Sequence, residues 1–505
     1  MIEVHDVAQV RAAEEAAFRV VPEDSLMQRA ATALAVVCAQ ILREERGGVV
    51  GSRVVLLVGS GNNGGDALWA GAGLAARGCR VDAMCLSDRV HTEGASALLR
   101  AGGRIVAWAG DAGQRALLEE ADLVIDGILG IGGSGGLRPP AAQAAAWARS
   151  GGAVLVACDL PSGVDADTGE VPGEAVVADV TVTFGAVKPG LLLAPGCFHS
   201  GTVEVVDIGL SFEDDPSALV LGPGDVADWV PEPAEDAYKY RRGVVGVSAG
   251  SRPYPGAALL VVAGARHVDP GMTRYLDRAD GNAAVILGHF PDVVVDGSPP
   301  AGQVRATAWG CGSGFPGDAT DAATVAAVLE AHVPVVLDAG ALAVVAAEGT
   351  VREAILDRQA HGLITVLTPH EGEFERLAPG VLAASPGRLA AARRAAAETG
   401  AVIVLKGPGT IVADPLGQAF IDVEGTSDLS TAGSGDVLTG IIAALLSGAW
   451  ASGRRDPSML TSAVAAGVWL HGRAGRLAAQ AGPVTALDIA AAVRAAVQSA
   501  RKGTS

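Results

Sequence analysis

Thr431-Ala432-Gly433-Ser434-Gly435-Asp436-Val437-Leu438-Thr439-Gly440 crowds small residues against one carboxylate and runs straight into an apolar segment, 437–446. The pattern predicts a tight backbone turn feeding the first turn of a buried helix, whose unpaired N–H groups can hold an anion. An aspartate at such a turn stands ready to act beside a phosphate. Glycine next to a helix start is also how ordinary loops end, so the surrounding chain must decide between the two.

Upstream of this stretch, short β-rich runs at 244–248, 284–287, 293–295, 304–309, 335–338, 364–367, 402–406 and 410–413 precede long helical segments near 435–446, 459–477 and 487–500. The first half shows the same rhythm, with strands expected at 53–58, 79–86, 104–107, 123–126, 153–157 and 181–184 and alanine-rich helices at 67–77, 93–101 and 141–149. Such alternation marks open α/β sheets with helices on both faces, which bind ligands at the carboxyl ends of their strands. Two helices are expected to open the chain, each with a capping box, Asp6 with Gln9 and Ser25 with Gln28. The polar, proline-bearing stretch 216–235 breaks the rhythm and is read as a linker between domains at 1–215 and 236–505. No internal repeat relates the two halves.

At 505 residues the chain exceeds one hydrophobic core. A formal charge of −19 argues against nucleic-acid or anionic-membrane partners. The six cysteines are scattered without a C-x-x-C pair, which suggests reduced core residues and a cytoplasmic setting. The N-terminus lacks the basic and apolar regions of a leader, and no uninterrupted apolar run is long enough to span a bilayer.

Three loops in the first half stand at expected strand ends. Gly59-x-Gly61-x-x-Gly64 fits the dinucleotide fingerprint literally, but the loop continues Asn62-Asn63-Gly64-Gly65-Asp66, polar groups that would crowd a pyrophosphate. A Walker A loop is excluded because no Gly-Lys-Ser/Thr follows. Asp126 opens a glycine-rich loop that runs through Gly130, Ile131, Gly132, Gly133, Ser134, Gly135 and Gly136, flexible enough to turn several N–H groups toward one anion. Asp159-Leu160-Pro161-Ser162-Gly163-Val164-Asp165 puts a carboxylate at a strand mouth. Counted as a calcium loop from Asp165, it has Glu170 where glycine is needed and Val176 where a bidentate glutamate is needed.

These loops, with Phe184-Gly185-Ala186-Val187-Lys188-Pro189-Gly190, resemble in order and spacing the NAD(P)H-hydrate epimerase family over roughly the first 210 residues. The resemblance implies a Rossmann-like three-layer domain that interconverts the R and S forms of NADHX and NADPHX and binds K+. Asn63, Asp126 and Ser162 would supply oxygens to the ion. Asn62, Asn63, Gly64, Gly65, Asp66 and the 130–136 loop would hold the dinucleotide, and Asp159 would face the reacting ring. Ala67 departs from the glycine usual there and is expected to narrow the helix start.

In the second half, Lys406-Gly407-Pro408-Gly409-Thr410 sets a cation, a flexible turn and a hydroxyl between two strands. Thr368-Pro369-His370-Glu371-Gly372-Glu373 places His370 before a helix, where a lone histidine also serves as a cap. Together with Tyr238-Lys239-Tyr240, Tyr254-Pro255-Gly256-Ala257-Ala258, the 310–314 loop and the 432–438 stretch, these residues resemble the NAD(P)H-hydrate dehydratase family, from about Tyr238 to the C-terminus.

That resemblance implies a ribokinase-like α/β domain that dehydrates the S epimers with ADP or ATP and Mg2+. Lys406, Gly407, Pro408, Gly409, Thr410 and Gly435 would contact the nucleotide; Ala257, Gly314, His370 and Asp436 would face the hydrate. Asp436 and Asp159 are the expected catalytic residues. Two departures bear on the nucleotide side: the Trp309-Gly310-Cys311-Gly312-Ser313-Gly314 loop, and Gly340 where the family continues Asp-Ala-Asp. The expected partners are small molecules, NADHX, NADPHX and ADP or ATP, with no nucleic acid and no membrane, in a homo-oligomer. The rival readings are a ribokinase-class small-molecule kinase fused to a dinucleotide-binding domain, and a scaffold whose first domain only binds.

Overall fold

The computed structural model describes residues 1–230, 238–278, 282–297 and 304–503. The chain divides into two compact units, Glu3–Ser217 and Ala218–Ser505, the second also including Met1–Ile2.

The first unit is built on seven parallel strands in the order Arg104–Ala107, Arg80–Cys85, Arg53–Val58, Leu123–Gly127, Val154–Cys158, Val180–Phe184 and Thr202–Val206. Each central strand is buried on both faces. Val54, Leu56 and Val58 pack with Leu34, Cys38, Leu68 and Leu74, while Val55 and Leu57 pack with Val124, Ala144 and Leu155 on the other side. Such two-sided burial explains their continuous apolar sequence. The chain order reverses at Arg53–Val58, which pairs with Arg80–Cys85 on one side and Leu123–Gly127 on the other. The loops leaving Arg53–Val58 and Leu123–Gly127 therefore flank the topological switch point, where open α/β sheets place their ligands.

Helix Val7–Ala17 starts with the expected box, Asp6 accepting from Gln9 N and Gln9 returning to Asp6 N. The second box is not formed. Helix Glu23–Arg46 starts two residues before Ser25, with Pro22 at φ −56° supplying the entry and no side-chain cap.

The second unit carries a larger sheet. Val294–Asp296, Met272–Leu276, Val244–Ser248, Ala308–Cys311, Val335–Leu337, Thr365–Leu367 and Val402–Leu405 run parallel in that spatial order, followed by antiparallel Thr410–Ala413 and Ala419–Asp422 and then Ala218–Val220. Two expectations are corrected here. Residues 284–287 belong to helix Asn282–His289, since so short an apolar run fits either state. The strand beside it is Met272–Leu276, hidden in the sequence by Arg274, whose guanidinium pairs with Asp296 on the neighbouring strand at 2.8 Å from Nε.

Within the stretch read as a linker, Ala218–Val220 is a strand and Pro223–Ala227 a helix of the second unit. Pro223 sits in the first turn of that helix, where its missing N–H is harmless, rather than marking a break. Residues 231–235 lie outside the described residues.

Helix Ser434–Ala451 is the core of the second unit, with Val437, Ile441, Ile442 and Leu446 fully buried. It lies close against helix Pro255–His267: a Cβ on Gly440 would overlap the Val261 carbonyl, and one on Gly264 would overlap that of Val437. By length and composition this helix and residues 24–46 are apolar enough to cross a membrane, but 72% of the former's apolar window is buried inside the domain. Among the described residues no disulfide is formed.

Candidate active sites

In the first unit the two switch-point loops meet backbone to backbone. Gly59 N donates to Gly127 O at 3.0 Å, and a Cβ on Gly59 would overlap the Ile128 carbonyl. That close approach explains the glycine at 59 without a pyrophosphate. Asp126, fully buried, accepts from Ser162 N at 2.8 Å, Ser162 Oγ at 2.7 Å and Ile128 N at 3.1 Å. Burial pushes its carboxyl up to about 6 against those hydrogen bonds. Among the described residues no charged group contributes to that shift.

Asp159 ends strand Val154–Cys158 at φ 67°, a left-handed conformation that costs a non-glycine residue on the order of 1–3 kcal/mol. Its Oδ1 is gripped by Lys188 Nζ at 2.7 Å, and Lys188, only 1% exposed, also donates to Thr183 Oγ1 and the Phe184 carbonyl at 2.9 Å each. The other oxygen, Oδ2, looks toward Gly130: a Cβ there would lie 3.4 Å from it and 3.2 Å from Asn63 Oδ1. Asn63 Nδ2 and Asp66 Oδ1 are buried in the same region without a hydrogen-bond partner. Burial, then the charges of Asp159 and Glu14, push the Asp66 carboxyl well above its usual range. Of the expected residues, Asn63, Gly130 and Asp159 thus surround one space. Asn62 and much of the 130–136 loop are exposed at its rim.

Sequence reading passed over three contributors here. Lys188 lay inside a quoted motif without a role, and its burial is what makes it an ion-pair partner. Glu14 and Arg11 come from helix Val7–Ala17, far away in sequence. Burial and Asp159 raise the Glu14 carboxyl, and Arg11 reaches the 130–136 loop, its Nη2 3.9 Å from where a Gly132 Cβ would stand. The departure at Ala67 is accommodated by Gly127, whose missing Cβ leaves room for the Ala67 methyl.

In the second unit the turn quoted first is as expected: Gly433 at φ 88° leads into helix Ser434–Ala451, with Asp436 in its first turn. Gly435 lies over a part-buried ion pair; a Cβ there would stand 3.3 Å from Lys406 Nζ and 3.8 Å from Asp338 Oδ2. Asp338 Oδ1 accepts from Lys406 Nζ at 3.0 Å and Thr368 Oγ1 at 2.7 Å, and Oδ2 from Ser313 Oγ at 3.2 Å. Burial alone would raise the Asp338 carboxyl, but Lys406 and Thr368 hold it below the usual range. Among the described residues Asp436 has no such cation of its own. Burial and the Asp338 charge push it up to about 7, against Ser313 and Lys406.

The remaining expected residues take distinct places. Gly314 at φ 74° packs on Ala257, which a Cβ would approach to 2.7 Å. His370 caps helix Glu371–Leu377, its Nδ1 accepting from Gly372 N at 3.0 Å and Glu373 N at 3.3 Å, and Glu373 in turn lies 3.7 Å from Lys406. Gly407, Pro408 and Gly409 form an exposed to half-buried loop in which the Thr410 hydroxyl donates to the Gly407 carbonyl at 2.8 Å. Arg388, in the first turn of helix Gly387–Thr399 and without a motif to mark it in the sequence, braces this loop through the Pro408 carbonyl at 2.9 Å and the Lys406 carbonyl at 3.2 Å. Gly340 has a packing reason, since a Cβ would overlap the Phe315 carbonyl.

Comparison with known proteins matches residues 245–494 to the family described as NAD(P)H-hydrate dehydratase and residues 23–190 to that described as YjeF-related protein N-terminus. The Bifunctional NAD(P)H-hydrate repair enzyme Nnr of Mycobacterium leprae is 44% identical over 445 residues, covering 88% of each chain. The chain belongs to the bifunctional NAD(P)H-hydrate repair enzymes. The family's Mycobacterium tuberculosis member is 42% identical over 453 residues, covering 89% of this chain and 90% of its own. Among solved structures, the ADP/ATP-dependent NAD(P)H-hydrate dehydratase from Bacillus subtilis, co-crystallised with ATP and Mg2+, aligns at 27% identity with a TM-score of 0.47, covering 56% of this chain and 99% of its own. In family terms, the first unit is the Rossmann-like epimerase part and the second the ribokinase-like dehydratase part.

Proposed function

We infer that this chain epimerises R- and S-NAD(P)HX at Asp159 and dehydrates the S form at Asp436, with ADP or ATP as phosphoryl donor. The observation that carries the reading is a carboxylate in each unit with its own setting: Asp159 fixed by a buried lysine at a strand mouth, and Asp436 raised to about 7 at a helix N-terminus above a Lys–Asp pair.

In the first unit, the hydrated ring carbon is a hemiaminal, so the ring nitrogen expels the hydroxyl and water returns on either face. With Oδ1 held by Lys188, the Oδ2 of Asp159 moves the proton. Asn63, Asp126 and Ser162 would hold K+. Asp126 is a buried carboxylate held by the Ser162 hydroxyl and two backbone N–H groups, and a hard monovalent cation bound there would compensate its charge.

In the second unit, Asp436 takes the proton of the ring hydroxyl as its oxygen attacks the terminal phosphorus of ADP or ATP, whose bond to the bridging oxygen breaks to release AMP or ADP. The N–H groups of the 433–435 turn and Lys406 stabilise the transferred phosphoryl group. The carbon–oxygen bond then breaks, phosphate leaves with the electron pair, and loss of the neighbouring ring proton restores the dihydronicotinamide. Mg2+ bound with the nucleotide would neutralise phosphate charge. The setting proposed is a cytoplasmic homo-oligomer.

The test is to incubate the purified chain with mixed R/S-NADHX and ADP or ATP and follow the absorbance of regenerated NADH. Recovery of both epimers, with phosphate released, supports the reading. Recovery of S alone removes the first activity, and a stable phosphorylated product instead of NADH favours the kinase rival.

A further inference from the structure

The turn that carries Asp436 is held from outside its own helix. His471, on helix Pro457–Ala479 and 7% exposed, brings Nε2 to 3.0 Å from both Ser434 Oγ and the Ser434 carbonyl oxygen. A carbonyl oxygen only accepts, so its contact with Nε2 requires a proton on that nitrogen, which assigns the tautomer. Burial lowers the imidazole to about 4, with the nearby Lys406 charge acting in the same direction, so near neutral pH it is a neutral Nε2–H donor.

The consequence lies in the geometry of the peptide bond. The Ser434 carbonyl and the Gly435 N–H belong to one planar trans unit and point in opposite directions. A donor that fixes the carbonyl therefore fixes where the N–H is aimed. Gly435 is the residue lying over Lys406 Nζ and Asp338 Oδ2, and Asp436 follows it directly. Ser434 itself is buried, so this grip acts from behind the turn.

We propose that His471 is a positioning residue for phosphoryl transfer: by holding both oxygens of Ser434 it sets the peptide plane that presents the Gly435 N–H to the transferred phosphoryl group. The proposal rests on the dehydratase reading of the second unit. Since the group acts on a donor that matters most when phosphoryl charge develops, its loss lowers kcat more than it raises KM.

The test uses the full chain and its His471→Ala, His471→Gln and Ser434→Ala variants. The readouts are kcat and KM for S-NADHX dehydration, ADP affinity by calorimetry, and thermal unfolding. His471→Ala is expected to lower kcat by about tenfold or more, with KM and the ADP Kd within about threefold. His471→Gln, whose amide N–H can take the place of Nε2–H, recovers most of that loss, and Ser434→Ala shows a smaller one. Unchanged kcat in His471→Ala overturns the proposal. So do equal losses in His471→Ala and His471→Gln accompanied by weakened ADP binding and a lowered melting temperature, which mark helix packing alone. If His471→Ala does not fold, wild-type kcat in both remaining variants overturns it. A wild-type chain that does not dehydrate S-NADHX overturns the functional reading as well, whereas wild-type turnover insensitive to these changes sinks only this proposal.

Discussion

Asp159 is buried at the mouth of strand Val154–Cys158 and Asp436 is part-buried in the first turn of helix Ser434–Ala451, and the two units set these carboxylates up in opposite ways. Asp159 carries its own counter-ion, Lys188, itself 1% exposed, and a strained backbone at φ 67° that fixes the side chain's origin. Among the described residues Asp436 has no counter-ion of its own. It shares a site with Asp338, which takes the lysine, and it is left near the protonation midpoint at about 7. The contrast suits the chemistry. A group that shuttles a proton to and from water benefits from fixed placement, while a base that must accept a hydroxyl proton and later release it benefits from a balanced affinity.

The sharpest way to break the comparison is to remove each carboxylate in turn. Asp436→Asn is expected to lower dehydration of S-NADHX by at least about a thousandfold with ADP binding intact, and Asp159→Asn to do the same to epimerisation while sparing dehydration. Each is checked by initial rates on resolved epimers.

Next in size is the counter-ion. Lys188→Met leaves Asp159 buried without its partner and is expected to destabilise the first unit by about 3–5 kcal/mol, read from denaturant unfolding. The corresponding change at Lys406 strands Asp338, and its stability loss should be of similar size but confined to the second unit.

The pH profile sharpens the same contrast. Asp436 must be unprotonated to act, so dehydration kcat is expected to fall as pH drops through about 7. In Asp436→Asn any residual rate loses that limb. The stability effect has its own sign: at pH 5 the folded carboxyl is neutral, and at pH 8 it is a buried charge. Removing it in Asp436→Asn should therefore stabilise the second unit by about 1 kcal/mol or more at pH 8 and by less at pH 5, where the unfolded carboxyl is ionised and the folded one is not, as measured by thermal unfolding at the two values. The smallest expected effect is at the rim. Gly130→Ala adds a Cβ 3.2 Å from Asn63 Oδ1, and a several-fold rise in KM for epimerisation is expected with little change in stability.

Much of this was legible in the chain because α/β units write their loops locally. The turn before Val437 and the apolar helix behind it, and the glycine loops after Arg53–Val58 and Leu123–Gly127, depend on residues adjacent in sequence. What was not legible is what arrives from a distance. Lys188 is 29 residues from Asp159, and Glu14, Arg11 and His471 come from helices whose own patterns read as ordinary amphipathic or alanine-rich segments. Met272–Leu276 was missed for a related reason: Arg274 looks like a surface residue until Asp296 is placed beside it. Two of the three family departures resolve the same way. Ala67 and Gly340 answer to Gly127 and Phe315, partners that only the fold supplies.

The measurement that reaches the central claim most directly compares Asp159→Asn, Asp436→Asn and an equimolar mixture of the two on R/S-NADHX with ADP. The account predicts that Asp159→Asn regenerates NADH promptly from the S fraction alone, that Asp436→Asn regenerates none, and that the mixture consumes both epimers. Prompt recovery of both epimers by Asp159→Asn, or a mixture no better than Asp159→Asn by itself, would contradict two separately tuned carboxylates dividing the work.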